Sequence, residues 1–334
     1  MKEALIIGAG NWGTTIAALL SQKSDCISQF VRNPEQRSLM TLARENTRYL
    51  PGITLPQSLK FPDSLETAVE KADLLIFATP TNSTRPLLKD LQELIRPDQV
   101  LLSLAKGIEI NTGFRVSEIF HEVLGTHRQF ALLSGPNIAS EIALNKPAIT
   151  AVASSNPAVS RKIQEFMSTS NFRVYTNPDL TGLEVCGALK NIIAIGAGIC
   201  HQLELGDNAI AALITRGIAE IARFGQAFGA NQATFMGMAG VGDLTVTCMS
   251  PLSRNNKLGR LLAQGITLGE AREQLQMVAE GAFTCKIVNR MAQEHKIYMP
   301  ITEAIHRILF DSIPVEQALQ SLMESTLKDE IVHS

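Results

Sequence analysis

An apolar run, Ala4-Leu5-Ile6-Ile7, ends directly in Gly8-Ala9-Gly10-Asn11-Trp12-Gly13, and the helix-patterned stretch Thr14–Gln22 follows without a spacer. Each glycine has a separate task in such a strand–turn–helix. Gly8 permits the tight turn, Gly10 lets a pyrophosphate approach the backbone, and Gly13 lets helix and strand pack closely. The anion then rests on the helix N-terminus. The same stretch fits G-x-x-x-x-G, but Thr14 stands where a phosphate-binding loop of the NTPase kind needs lysine, which disfavours an NTPase.

The pattern that follows extends this start into a domain. Strand-like runs recur at Ile27–Val31, Leu74–Ala78, Val100–Leu104, Ala131–Leu133 and Ile149–Ala153, most of them separated by helical stretches such as Leu65–Ala72 and Leu87–Ile95. Alternation of this kind predicts right-handed βαβ crossovers and an α/β fold, a doubly wound, mainly parallel sheet of the Rossmann type. After Phe172–Tyr175 the alternation stops. Long apolar stretches at Leu180–Leu203 and Asn208–Phe228, then helical patterns at Lys257–Gln264, Leu268–Gln276, Phe283–Glu294 and Val315–Met323, predict an all-α second half. The expected division is residues 1–184, binding a dinucleotide, and 185–334, binding the substrate.

Charge and cysteine usage narrow the function classes. Thirty Lys and Arg against 32 Asp and Glu leave a net charge of −2, so a basic nucleic-acid-coating surface is not indicated. The longest uninterrupted nonpolar stretch, Ile192 to Cys200, is nine residues, and no transmembrane segment is expected. The chain opens on Met1-Lys2-Glu3 with no basic leader, and its five scattered cysteines contain no C-x-x-C pair. A reducing cytoplasm is the expected compartment. The six histidines include no H-E-x-x-H pair, so no metal is expected, and no G-x-S-x-G elbow occurs.

Several residues outside the glycine turn carry chemistry. Nineteen residues beyond Gly13, where an NAD-selective site places a carboxylate for the ribose 2′-hydroxyl, stands Arg32. A guanidinium there can stack on adenine and pair with a 2′-phosphate, tilting the expectation toward NADP without excluding NAD; the alternative is a solvated turn at Arg32-Asn33-Pro34. Lys106 follows a strand end, where parallel sheets place ligands, as does Ser134-Gly135-Pro136-Asn137. Lys190 is the one charge in the nearly apolar segment Val185–Ile195. Desolvation would lower its pKa toward that of a general base, while the competing reading is a lysine that snorkels to the surface or is paired across the domain boundary. Gly237–Leu244 reads as a glycine-rich loop ending on Asp243, a residue able to orient a base or a hydroxyl. Ser253-Arg254-Asn255 reads either as a phosphate-binding cluster or as a helix N-terminus with its cap.

Taken together, these segments resemble the NAD(P)-dependent glycerol-3-phosphate dehydrogenases in their bacterial form, over essentially the whole chain. The resemblance rests on residues 8–14, Tyr49-Leu50-Pro51-Gly52, Lys106-Gly107-Ile108-Glu109, Ser134-Gly135-Pro136, Ala188-Leu189-Lys190-Asn191, Gly240-Val241-Gly242-Asp243-Leu244 and Ser253-Arg254-Asn255. It implies reversible hydride transfer between sn-glycerol 3-phosphate and NADP or NAD, giving dihydroxyacetone phosphate, in service of phospholipid synthesis. It implies Lys190 as the proton carrier, with Asp243 beside it in the catalytic set. Asn11, Trp12, Arg32, Lys106, Ala139, Arg254, Val278 and Glu280 are then dinucleotide ligands, and Lys106, Gly135, Asn137, Lys190, Asp243, Ser253, Arg254 and Asn255 touch the substrate. It also implies a homodimer. The sequence departs from the family at Asn137, usually Ser or Thr, and at Ile138, usually Phe or His. The rival readings are another two-domain dehydrogenase acting on a 3-hydroxy acid or sugar acid, and a nonenzymatic dinucleotide sensor.

Overall fold

The computed structural model describes residues 1–275 and 280–324. The described strands are β1 (Ala4–Ile7), β2 (Ile27–Phe30), β3 (Glu45–Asn46), β4 (Leu50–Thr54), β5 (Leu74–Phe77), β6 (Val100–Ser103), β7 (Gln129–Ser134), β8 (Ala148–Ala153) and β9 (Phe172–Asn177). The helices of the first half are α1 (Asn11–Ser21), α2 (Pro34–Ala43), α3 (Leu65–Lys71), α4 (Thr81–Leu91), α5 (Val116–Leu124), α6 (Ala139–Ala143) and α7 (Pro157–Met167). Those of the second are α8 (Leu180–Gln202), α9 (Gly206–Ala227), α10 (Gln232–Phe235), α11 (Asp243–Met249), α12 (Arg254–Ala263), α13 (Leu268–Leu275), α14 (Glu280–Glu294), α15 (Pro300–Phe310) and α16 (Val315–Met323). By packing, the chain falls into two compact units: Met1–Ala188 with Gly225–Val246, and Leu189–Phe224 with Thr247–Ser334.

The first unit is built on a seven-stranded sheet in the order β2-β1-β5-β6-β7-β8-β9. Strands β1, β5 and β6 are buried along their whole length, as expected of parallel strands covered by helices on both faces. Every pairing from β2 to β7 is parallel, and β8 pairs antiparallel with β7 before β9 joins it in parallel. The connection between β7 and β8 carries only the five-residue α6, too short to return the chain across the sheet, so β8 turns back alongside β7. The strand order reverses between β1 and β5, and ligands of doubly wound sheets bind beyond the carboxyl ends at that point. The small hairpin β3–β4 has no counterpart in the sequence reading, because β3 is two residues long and β4, Leu50-Pro51-Gly52-Ile53-Thr54, carries Pro and Gly in place of an alternating pattern.

Among its described residues the second unit contains helices joined by short connections and no strand. Its centre is the latter part of α8 against α12, which approach closely enough for glycine to be required on both sides: a Cβ at Gly198 would strike the Asn256 carbonyl, and one at Gly259 the Ile195 carbonyl. Helix α8 is long and apolar enough, by length and composition, to cross a membrane, yet its apolar window is wholly buried within the chain. Counting an uninterrupted nonpolar run of nine residues understates its hydropathy, since Glu184, Lys190 and Asn191 interrupt a mainly apolar helix.

Candidate functional site

The glycine turn adopts the geometry its sequence demands. Gly8 has φ +123°, and a Cβ there would lie 2.7 Å from the Ala78 carbonyl at the end of β5. A Cβ at Gly13 would run into the Gly8 carbonyl. Around Gly10 nothing lies within 4 Å of where a Cβ would sit, which is the space a close-lying phosphate needs. Gly10 is also the N-cap of α1 and brings no capping side chain. Exposed Asn11 and half-buried Trp12 open the helix, with the Trp12 ring 6.3 Å from Phe172. The Trp12 Nε1 hydrogen is buried and has no partner among the described residues. An uncapped helix N-terminus beside an open glycine at the sheet's switch point fits a dinucleotide pyrophosphate.

Arg32 is exposed just past β2 and forms no hydrogen bond or ion pair among the described residues. The neighbouring turn is structured rather than merely solvated: Asn33 Oδ1 accepts from the Gln36 amide at 2.9 Å and Pro34 occupies the first helical position of α2. Ala139 is buried at the start of α6, its carbonyl accepting from Thr15 Oγ1 of α1 at 3.3 Å.

Still within the first unit, Lys106 donates to Asp243 Oδ2 at 2.7 Å and to the Gly135 carbonyl at 2.9 Å. Asp243 is only 1% exposed, and burying such a carboxylate without a cation would be costly. The residues leading to it, Met238–Gly242, wind into a π-helical turn that runs directly into α11, so the expected glycine-rich loop is a helix entry instead. A Cβ at Gly240 would strike the Phe235 carbonyl, which is why this tight winding needs glycine. At the end of β7, a Cβ on Gly135 would lie 2.8 Å from Thr150 Oγ1, and Asn137 Nδ2 donates to the same hydroxyl at 3.0 Å. On α8, a Cβ at Gly187 would lie 3.0 Å from Ser134 Oγ and 3.4 Å from Lys106 Cγ. Helix α8 therefore packs against the very strand end that carries Gly135, and Gly187 is the residue that lets it.

The second unit holds the other candidates. Lys190 is 7% exposed, which removes the reading of a lysine that snorkels to the surface, and its Nζ donates to Thr247 Oγ1 at 2.9 Å. Ser253 is the N-cap of α12, its Oγ accepting from the Asn256 amide, and Arg254 is exposed in the first turn. The capping reading of this tripeptide is thus observed, and a capped helix N-terminus remains able to receive an anion through its other amides and the guanidinium. Asn255 is buried, and its Oδ1 accepts from the Gly281 amide at 3.0 Å. A Cβ at Gly281 would lie 2.7 Å from the Asn191 carbonyl. Asn191, Asn255 and the start of α14, where Glu280 lies, are therefore brought together, whereas Val278 lies outside the described residues. The sequence reading missed Thr247, whose position four residues after Asp243 on one helix places both on one face.

Two family models match the chain: residues 3–160 match the NAD-dependent glycerol-3-phosphate dehydrogenase N-terminus, and residues 179–320 the C-terminus of the same family. The chain is 42% identical over 333 residues to the glycerol-3-phosphate dehydrogenase (NAD(P)+) of Geobacter sulfurreducens, covering 99% of each. It is 44% identical over 333 residues to the enzyme of that name from Geobacillus kaustophilus, covering 99% of this chain and 97% of that one. Among solved structures, glycerol-3-phosphate dehydrogenase from Coxiella burnetii superposes with a TM-score of 0.92 at 35% identity, covering 96% of this chain and 98% of that one.

Proposed function

Because the chain belongs to the NAD-dependent glycerol-3-phosphate dehydrogenase family, we propose that Lys190 carries the proton in its reaction, and that Lys106, Asp243 and the start of α12 hold the substrate. The reaction itself is hydride transfer between sn-glycerol 3-phosphate and NAD(P)+, interconverting the alcohol with dihydroxyacetone phosphate. The bound dinucleotide supplies the hydride acceptor in oxidation and the donor in reduction.

The observation that carries the assignment is the burial of Lys190 with its Nζ tethered to the Thr247 hydroxyl. When hydride leaves C2 the hydroxyl proton becomes acidic, and a neutral Lys190 amine accepts it. In the reverse direction the Lys190 ammonium returns that proton to the carbonyl oxygen. Thr247 Oγ1 fixes where Nζ sits, so proton transfer needs no search over lysine rotamers. Lys106 has a different task. A lysine ammonium carries three hydrogens, and Asp243 and the Gly135 carbonyl take two, which leaves one aimed by the other two at a substrate oxygen. Ser253, Arg254 and Asn255 present helix amides, a guanidinium and an amide to the phosphate.

Gly8, Gly10, Asn11, Trp12, Gly13, Arg32 and Ala139 serve the dinucleotide in this reading, with Arg254, Glu280 and Val278 completing the set. The division at residues 184 and 185, a homodimer, a cytoplasmic setting and a role in phospholipid synthesis extend the same proposal; light scattering tests the dimer. Activity with dihydroxyacetone phosphate and NADPH, and little with unphosphorylated dihydroxyacetone, is the expected result of a steady-state panel. Equal kcat/KM for the two ketones would remove the phosphate role of the α12 start.

A further inference from the structure

Thr14, the residue that stands in place of an NTPase lysine, is fully buried and faces inward. Its Oγ1 accepts from two side-chain amides, Asn46 Nδ2 at 2.8 Å and Gln29 Nε2 at 3.2 Å. Both amides also reach the glycine turn: Gln29 Nε2 donates to the Gly8 carbonyl at 2.9 Å, and Asn46 Nδ2 to the Ala9 carbonyl at 3.0 Å. Gln36 Nε2 reinforces the arrangement by donating to Asn46 Oδ1 at 3.3 Å. Gln29 comes from β2, Asn46 from the β3–β4 hairpin and Gln36, whose Nε2 also reaches the Ala9 carbonyl at 3.4 Å, from α2, so three separate elements converge on two carbonyls.

In a trans peptide the C=O of one residue and the N–H of the next point in opposite directions. Drawing the Gly8 and Ala9 carbonyls toward the buried side therefore turns the Ala9 and Gly10 amides away from it. Among the described residues neither of those amides donates to another protein atom. We propose that Thr14, Gln29 and Asn46 are positioning residues for dinucleotide binding, which aim the Ala9 and Gly10 amides at the pyrophosphate by anchoring the carbonyls behind them. The hairpin β3–β4 thereby acquires a task, since it delivers Asn46. The proposal rests on the reading that the chain binds NAD(P).

The test compares Thr14→Val, which keeps the shape and removes the shared acceptor, with Thr14→Ser, which keeps the hydroxyl, and with Asn46→Ala. Fluorescence titration with NADPH should show Kd raised about tenfold or more in Thr14→Val and Asn46→Ala, and within about threefold of the parent in Thr14→Ser. KM for NADPH should rise in parallel, while kcat at saturating NADPH and KM for dihydroxyacetone phosphate move by less than about threefold. Adenosine 2′-monophosphate, which lacks the pyrophosphate bridge, should bind all four proteins alike. Unchanged NADPH affinity in Thr14→Val, or equal losses for NADPH and the mononucleotide, would overturn the positioning role, the second result marking a structural one. A parent protein that does not bind NADPH would overturn the dinucleotide reading itself and this proposal with it. If Thr14→Val folds poorly, Asn46→Ala carries the same comparison.

Discussion

Glycine makes close approach possible in both units, but to different ends. In the sheet unit, Gly8 and Gly13 bring α1 onto the ends of β1 and β5 while Gly10 keeps an open space in front of the turn. In the helical unit, Gly198 and Gly259 let α8 and α12 touch backbone to backbone, and no space is left over. The first arrangement makes room for a ligand. The second fixes the spacing between Lys190 and Asn191 on one helix and Ser253, Arg254 and Asn255 at the start of another. In the proposed reading, binding of the dinucleotide is built into a local turn, and the chemistry into the packing of distant segments.

If that contrast holds, its largest consequence is at Lys190. Lys190→Ala should fold and bind NADPH nearly as the parent does, yet lose roughly two to four orders of magnitude in kcat. Steady-state kinetics with parallel fluorescence titration checks this. Retention of most of kcat would remove Lys190 from proton transfer, and loss of the fold would make it a structural residue. Either result would break the assignment of chemistry to the helical unit.

The glycines themselves give a paired test. Gly10→Ala adds a methyl group to open space at an ordinary φ of −76°, so its melting temperature should stay close to the parent's, with a stability change of no more than about 0.5 kcal/mol. NADPH affinity should fall by about tenfold, because the methyl group takes the place of the phosphate. Gly259→Ala should do the reverse. Its Cβ meets the Ile195 carbonyl, and overpacking of this kind costs about 1–3 kcal/mol. Whatever kcat/KM loss accompanies it should lie in the triose phosphate, with NADPH affinity retained. A Gly10 variant that melts early would show that the open space is part of the fold.

The same contrast explains what could be read from sequence. The glycine turn, its strand and its helix are contiguous, and so their geometry was legible together. Lys106, Asp243 and Lys190 were legible as unusual residues, but their partners were not, because Asp243 lies 137 residues from Lys106 and Thr247 lies 57 from Lys190. Glu184 and Glu220 gave no signal at all. A glutamate in a helix reads as a solvated face until the elements packed over it are known, and Ser117 and Thr302 are 67 and 82 residues away in the chain. The antiparallel return of β8 was hidden for a related reason, since strand direction is set by the connection and not by the strand's own residues.

Arg32 offers a smaller effect inside the sheet unit. Arg32→Ala should lower the NADPH-over-NADH preference in kcat/KM by about tenfold, the usual worth of one charged hydrogen-bonding partner for a 2′-phosphate. An unchanged preference would mean that Arg32 does not read the 2′ position, and that discrimination lies elsewhere in the turn.

The smallest expected effect comes from the two buried carboxylates, one in each unit. Burial pushes Glu184 up to about 7 against the opposing pull of Arg115 and the Ser117 amide and hydroxyl. Burial likewise pushes Glu220 up to about 7, against donation from the Ile301 and Thr302 amides and the Thr302 hydroxyl. Both start from an ordinary value of 4.5, so below that pH their contribution to stability is complete. Between 4.5 and 7 the unfolded chain releases these protons while the native chain keeps them, and stability falls as pH rises. Above 7 the loss levels off. His121 and His201, held below their ordinary values chiefly by burial, act in the opposite sense over part of this range, so the informative quantity is the difference between a variant and the parent. Glu184→Gln mimics the neutral acid: its oxygen still accepts from the Ser117 amide at Oε1, and its NH2 group can donate to a reoriented Ser117 hydroxyl. Its melting temperature should therefore gain on the parent's by about 2 °C or more between pH 5 and pH 8. Glu220→Gln should gain on the parent over the same pH window but from a lower starting point, because both carboxylate oxygens accept backbone amides and one would face an NH2 group instead. That variant should melt below the parent at pH 5, where both carboxyls are neutral, whereas Glu184→Gln should melt close to it; equal melting of the two variants relative to the parent at pH 5 would show that the two carboxylates are held alike after all.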